Sequence, residues 1–334
     1  MLLTPKDNIF ITDSRYIEAV NSYLTLDQEI AAFDLRGLSK YDYESYFAGC
    51  NSVGFEEGYV TYEMYKSYLI TYRVDNLVET EHLIEINRFV KDEEEIDNCK
   101  KACLITDKAF EHIKEYIRPG QTEKEIALEL ERYMKMNGAE SLAFDTIVAS
   151  GPNSSMPHAI PTDRKIEEKD IIQFDFGCKV NGYCSDFSRV LFIGEITDEE
   201  EKVYQFVLKE YNFISERLKD GINIKETLKE AEEHYKEENY ELLHSFGHNL
   251  GLDIHEEPVL STRYETKLKK NMLLTVEPGV YIPGKFGIRI EDTILINKDG
   301  SNSLTKSGKA ICVIKFYKYL IFRQYCDNIY RHKI

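Results

Sequence analysis

Hydrophobic residues recur every two to four positions through Ile96, Cys99, Cys103, Ile105, Ala109, Ile113 and Ile117, the rhythm of one buried helical face. The charged stretch Arg88 to Ile96 opens this helix and Pro119-Gly120 ends it. A second helix is predicted from Thr122, which forms a capping-box pair with Glu125, to about Asn137-Gly138. From Phe144 onward the pattern turns β-rich, with Gly, Pro and Asn turns, interrupted by helical stretches from Thr197 to about Leu218 and from Ile224 to Tyr235. Upstream, short β-like runs at Asn8 to Ile11, Glu29 to Phe33 and Tyr59 to Tyr62 alternate with helical stretches. The pattern predicts a mixed α/β (α+β) protein with a small α/β domain over 1–87, a larger domain over 88–313 and a tail over 314–334. The tail is rich in aromatic and basic residues and is read as an added packed helix; its charges rule against a membrane span.

Two of the β runs, Ile171 to Gly177 and Cys184 to Gly194, flank Asn181-Gly182, the strongest short hairpin signal. With those two residues as the loop, Val180 faces Tyr183, Gly177 faces Asp186 and Asp175 faces Ser188. Side chains alternate along a strand, so Asp175 and Asp186 project from one face as diagonal neighbours. Two carboxylates that close, among Ile, Phe, Val and Leu, are costly to ionise unless a cation lies between them. The alternative is the polar, solvent-facing side of an ordinary hairpin, and the hairpin alone does not decide.

Further acidic and imidazole groups lie downstream, in His244-Ser-Phe-Gly-His248, His255-Glu-Glu-Pro258, Leu274-Thr-Val-Glu277-Pro-Gly279 and Ile288-Arg-Ile-Glu291-Asp292-Thr293. Alternation in the last run puts Arg289, Glu291 and Thr293 on one face and Ile288, Ile290 and Asp292 on the other. Each of these residues alone reads as structural. Together, Asp175, Asp186, His248, Glu277 and Glu291 offer one nitrogen and several oxygen donors, a set that suits Mn²⁺, Co²⁺ or Fe²⁺ and is compatible with Zn²⁺. Mn²⁺ is the leading expectation, and thiolate ligation is not indicated.

Composition narrows the partners. Fifty-nine acidic against 42 basic residues give a formal charge of −17, which repels a polyanionic backbone and argues against nucleic acid. Seven scattered cysteines without a C-x-x-C pair fit a reducing compartment. The first residues lack the pattern of a signal peptide, and no apolar run reaches the roughly 20 residues of a span. A cytoplasmic protein acting on small molecules or peptides is therefore expected.

Between about residues 86 and 312 these motifs resemble the pita-bread metallopeptidases, specifically the Xaa-Pro dipeptidase (prolidase) and aminopeptidase P branch. The resemblance rests on Asn153-Ser-Ser-Met-Pro-His158-Ala-Ile-Pro-Thr162, Asp175-Phe-Gly, Tyr183-Cys-Ser-Asp186-Phe-Ser-Arg189, Gly247-His248, His255-Glu-Glu-Pro258, Glu277-Pro-Gly279 and Arg289-Ile-Glu-Asp292. It implies a pita-bread catalytic domain in which Asp175, Asp186, His248, Glu277 and Glu291 hold two adjacent divalent ions, one Asp and one Glu bridging. It also implies that His158 and His255 line the substrate pocket, that His244 is an additional active-site histidine, and that Tyr281 and Arg289 orient substrate or ligands.

The implied reaction is hydrolysis of the Xaa-Pro bond in dipeptides or at the N-terminus of short peptides. Glu277 or Glu291 would take the proton of the attacking water, and His255 or His158 would stabilise the oxyanion. Proline's missing N–H makes ring shape the feature to be recognised. The resemblance further implies a homodimer and a chain that begins inside the family's N-terminal domain, which is therefore shortened. The competing readings are a methionine-aminopeptidase-like enzyme, which shares the ligands, a creatinase-like hydrolase, which does not need the metal, and a non-catalytic peptide- or protein-binding module, which has no reason to keep them.

Overall fold

The structure, a computed structural model, describes residues 2–4, 7–24, 30–34, 36–37, 45–47, 50–80, 82–263 and 265–316. Most of the tail expected as a helix, and Glu29 at the start of one expected strand, lie outside these residues. The chain divides into two compact units, 1–84 and 85 onward.

In the first unit, Leu2–Leu3 forms a hairpin with Asn8–Thr12, which pairs in parallel with Ile30–Asp34; the helix Ile17–Leu24 falls between them in sequence. A second parallel pair, Val53–Phe55 with Leu77–Glu79, brackets the helix Tyr62–Tyr72. Parallel strands require such crossovers, so the α/β character follows from the pairing. Tyr59–Tyr62, expected as a β run, is instead a turn leading into that helix. The Thr61 hydroxyl accepts the Met64 N–H as an N-cap, a local bond that overrides the β propensity of the surrounding tyrosines.

In the second unit the helices Glu93–Tyr116, Glu123–Met136 and Asp198–Ser215 each begin with a complete capping box, at Asp92/Glu95, Thr122/Glu125 and Thr197/Glu200. A fourth helix spans Lys225–Glu237. A nine-stranded sheet carries them. Its main order is Glu256–Val259, His248–Asn249, Leu273–Val276, Glu291–Ile296, Phe187–Ile193, Ile171–Asp175 and Ile147–Ser150. Alternation distributes its side chains between two cores. Ile172, Phe174, Phe187 and Leu191 pack with the first two helices, whereas Ile171, Val190 and Phe192 pack with the last two. Among the described residues no helix is long and apolar enough to cross a membrane.

Candidate metal centre

The hairpin keeps the register its turn sets. Asn181 and Gly182 both have positive φ, 49° and 83°, as a two-residue turn of the primed type requires. Val180 faces Tyr183 and, six residues before the turn, Asp175 faces Ser188. Along the way the two arms leave a small three-stranded sheet and enter the nine-stranded one without a bulge between them, joined by bonds from Ser185 N to Cys178 O (2.9 Å) and Phe176 N to Phe187 O (3.1 Å). Gly177 makes this crossing possible, because a Cβ there would lie 1.9 Å from the Ser185 carbonyl oxygen.

Five neighbouring strands then deliver one residue each. His248 starts its strand, Glu277 follows Leu273–Val276, Glu291 starts the next, Asp186 precedes Phe187–Ile193, and Asp175 ends Ile171–Asp175. Asp186, His248 and Glu291 offer ligand atoms that all lie within 4.8 Å of one another. His248 Nε2 is 3.5 Å from Asp186 Oδ2 and 3.6 Å from Glu277 Oε1. Its other nitrogen, Nδ1, lies 3.0 Å from the Asn249 carbonyl, to which it donates, so the tautomer that points a lone pair at the carboxylates is the one the backbone selects.

Buried charge of one sign dominates the centre. Burial first, then Asp186 and Glu277 against the opposing pull of Arg289, raises the Asp175 pKa to about 7. Burial likewise raises Glu277, and raises Glu291 well above the carboxylate range, where Asp186, Glu277 and Asp175 add to it. Burial alone would lower His248, but Asp186 and Glu277 outweigh it and lift it to about 9. Buried Oδ1 atoms of both Asp175 and Asp186 have no hydrogen-bond partner among the described residues. Acceptors left unpaired at the meeting point of four carboxylates and one imidazole fit divalent cations, and the oxygen-rich donor set has the chemistry expected of such ions.

A cavity of about 880 Å³ opens over this cluster, and His158, His244, His255 and Arg289 line it with the five acidic and imidazole groups. Its remaining wall includes Leu128, Phe144, Ile147, Ile160, Ile254 and Val259. His244 is tied by Nδ1 to Ser245 O (2.8 Å) and by Nε2 to the Tyr281 hydroxyl (2.9 Å); burial, then Arg289, lowers its pKa to about 4. The His255 ring stands edge-on to His248, with centroids 4.5 Å apart, and burial followed by the His248 charge lowers its pKa. Tyr281 does not line the cavity but supports it from behind.

Arg289 is engaged on every side. It donates from Nε to Ser188 Oγ (2.8 Å), from Nη1 to the Tyr281 hydroxyl (2.6 Å) and Pro157 O (3.3 Å), and from Nη2 to Asp175 Oδ2. Four of the five N–H groups of a guanidinium are thereby used within the protein.

Several supporting residues escaped the sequence reading. The Ser188 hydroxyl donates to Glu291 Oε2 (2.7 Å), Thr275 Oγ1 accepts the His248 N–H (3.0 Å) and reaches Glu277 Oε1 (3.3 Å), and Thr293 Oγ1 bonds the Asp186 backbone in both directions. Ser188 was within reach, since the register already placed it opposite Asp175. Lys91 had no such signal. Only 2% exposed, its ammonium bonds Asn249 Oδ1 (2.8 Å) and Glu256 Oε2 (3.0 Å), holding together the strand that His248 starts and the far end of the loop that carries His255.

Comparison with known proteins gives concordant findings. The family model described as Metallopeptidase family M24 matches residues 97–298. A Xaa-Pro dipeptidase of Pyrococcus furiosus is 40% identical over 257 residues, covering 76% of this chain and 74% of that one. Among solved structures, a Xaa-Pro dipeptidase from Bacillus anthracis superposes with a TM-score of 0.87 at 37% identity, covering 93% of this chain and 88% of its own. An X-Pro aminopeptidase from Thermotoga maritima gives 0.84 at 34% identity, covering 94% and 90%. The pita-bread architecture expected from the motifs is thus the architecture of the molecule.

Proposed function

The chain belongs to metallopeptidase family M24, and from that premise we propose that its cleft hydrolyses the peptide bond before proline, in dipeptides or at the N-terminus of short peptides. The observation that carries the proposal is the convergence of five strand-borne ligand candidates on one buried point with two unpaired carboxylate oxygens. Asp175, Asp186, His248, Glu277 and Glu291 would hold two divalent ions, with Mn²⁺ the native ion on the strength of the oxygen-rich set. Such ions lower the pKa of water and polarise a peptide carbonyl.

The chain's own groups do the rest. Glu277 or Glu291, whose burial raises their proton affinity, accepts the proton of the attacking water. His158 and His255 face the cavity and donate to the oxyanion. His244 and Tyr281, bonded to each other, and Arg289, bonded to Tyr281 and Asp175, hold the acidic cluster in shape. The catalytic machinery falls within residues 88–313, and we read the protein as a cytoplasmic homodimer, in line with its scattered cysteines and with the resemblance of its motifs.

One observation favours the longer peptides. A dipeptide presents a free carboxylate beside the scissile bond, yet Arg289 already bonds the protein with four N–H groups, and Lys124, the other basic side chain lining the cavity besides histidine, pairs with Asp163 at 2.9 Å. Assaying Gly-Pro against Ala-Pro-Ala with Mn²⁺ separates the two. Turnover of either, lost on chelation, supports the peptidase reading and the preferred substrate sets the branch; inertness toward both would overturn it in favour of a binding module.

A further inference from the structure

His158, like His255, is exposed and, among the described residues, no hydrogen bond holds its ring; unlike His255, whose ring packs edge-on against His248, it makes no ring contact among those residues either. Its place is therefore set by the backbone of the loop that carries it, residues 151–161. Both ends of that loop meet at one side chain. Glu123, the first residue of the helix Glu123–Met136, is fully buried. Its Oε1 accepts from Ser150 N (2.7 Å) and Ser150 Oγ (2.7 Å), and its Oε2 from Thr162 N (2.9 Å) and Thr162 Oγ1 (2.6 Å). Asn153 Nδ2, inside the loop, reaches both oxygens at 3.1 Å.

A buried carboxylate is tolerated here because six donor contacts and the helix N-terminus satisfy it. From the far side, Ser154 Oγ accepts the Gly287 N–H (2.9 Å), which keys the loop to the strand Phe286–Arg289 that carries Arg289. His244 and His248 are fixed by hydrogen bonds to their own rings; at His158 the chain fixes the loop and lets the ring stand free.

We propose that Glu123 is a positioning residue for catalysis: by clamping Ser150 and Thr162 together it holds His158 over the cleft, although it touches neither substrate nor the metal ligands. The inference rests on the reading of His158 as an oxyanion donor. A displacement of about 1 Å is enough to cost up to about 100-fold in rate when a catalytic group is misplaced. Glu123→Gln preserves shape but turns one acceptor oxygen into an NH₂ group facing donors.

The test is a double-mutant cycle on kcat with the preferred peptide and ions added, accompanied by the number of ions bound per chain. Glu123→Gln is expected to lower kcat about tenfold with KM little changed and ion content unchanged, and the E123Q/H158A double variant to match H158A within about twofold. Should E123Q fail to give a cooperative unfolding transition, Thr162→Val, which removes one donor to the same carboxylate, takes its place in the cycle. Wild-type kcat in E123Q beside an impaired H158A, or losses that multiply in the double variant, would overturn this inference alone. A wild-type kcat in H158A would overturn the assignment of His158 and this inference with it.

Discussion

Asp186 and Ser188 sit two residues apart and their removal should do different things. Asp186 contributes a ligand atom to the tightest group in the cleft and keeps an unpaired oxygen there. Asp186→Ala is expected to abolish metal-dependent turnover and lower the number of ions bound while leaving the far-ultraviolet circular dichroism unchanged; unaltered turnover would sink the site assignment. Ser188 supports the site through its hydroxyl, which bonds Glu291 and Arg289, and lies opposite Asp175 in the sheet. Supporting bonds of this kind typically carry 10- to 100-fold in metal affinity, so Ser188→Ala should weaken ion binding by about tenfold in a calorimetric titration and keep measurable activity at saturating ion.

Elements supply what single residues cannot: the approach of the two hairpin arms at Gly177. Gly177→Ala would drive a methyl group into the Ser185 carbonyl, a backbone group that cannot turn aside, and against the Phe144 ring, and is expected to cost about 3 kcal/mol or more in a denaturant titration, with ion affinity falling alongside. The elements differ in how far they could be read beforehand. The helix opening at Thr122 announced its start through a local capping pair, and the hairpin announced its register through Asn181-Gly182, because each signal lies within a few residues of the structure it specifies. Thr61 shows the limit, since one hydroxyl bond made a helix where the apolar pattern suggested a strand. Neighbourhood within the sheet was not legible from spacing at all. That Leu273–Val276 lies between His248–Asn249 and Glu291–Ile296 depends on pairings across tens of residues, and only the motif resemblance brought those groups together in advance. Lys91 and Glu123 stayed invisible for the same reason: their partners lie 158 and 165, or 27 to 39, positions away.

For the whole molecule, the acidic cluster ties stability to ions and to pH. Asp175, Glu277 and Glu291 have raised pKa values in the folded chain, so when ions are stripped the fold binds protons that the unfolded chain releases. Their protonated forms favour the fold fully below the ordinary carboxylate value, 3.8 for Asp175, and that contribution is lost as pH rises through about 7. Chelated protein is accordingly expected to lose on the order of 10 °C in Tm between pH 5 and pH 7.5, and saturating Mn²⁺ to restore it at the upper pH. A flat Tm across that range in chelator would mean that the carboxylates do not outweigh His244 and His255, whose lowered pKa values act in the opposite sense.

The unbroken pairing from the turn to Asp175 and Ser188 has an evolutionary corollary. Because a one-residue slip sends every later side chain to the opposite face of a sheet, the stretch between Asp175 and Asp186 behaves as a ruler. Its count is held as strictly as its letters: a single codon inserted or deleted within one arm would turn one of the two carboxylates to the other face as surely as replacing it.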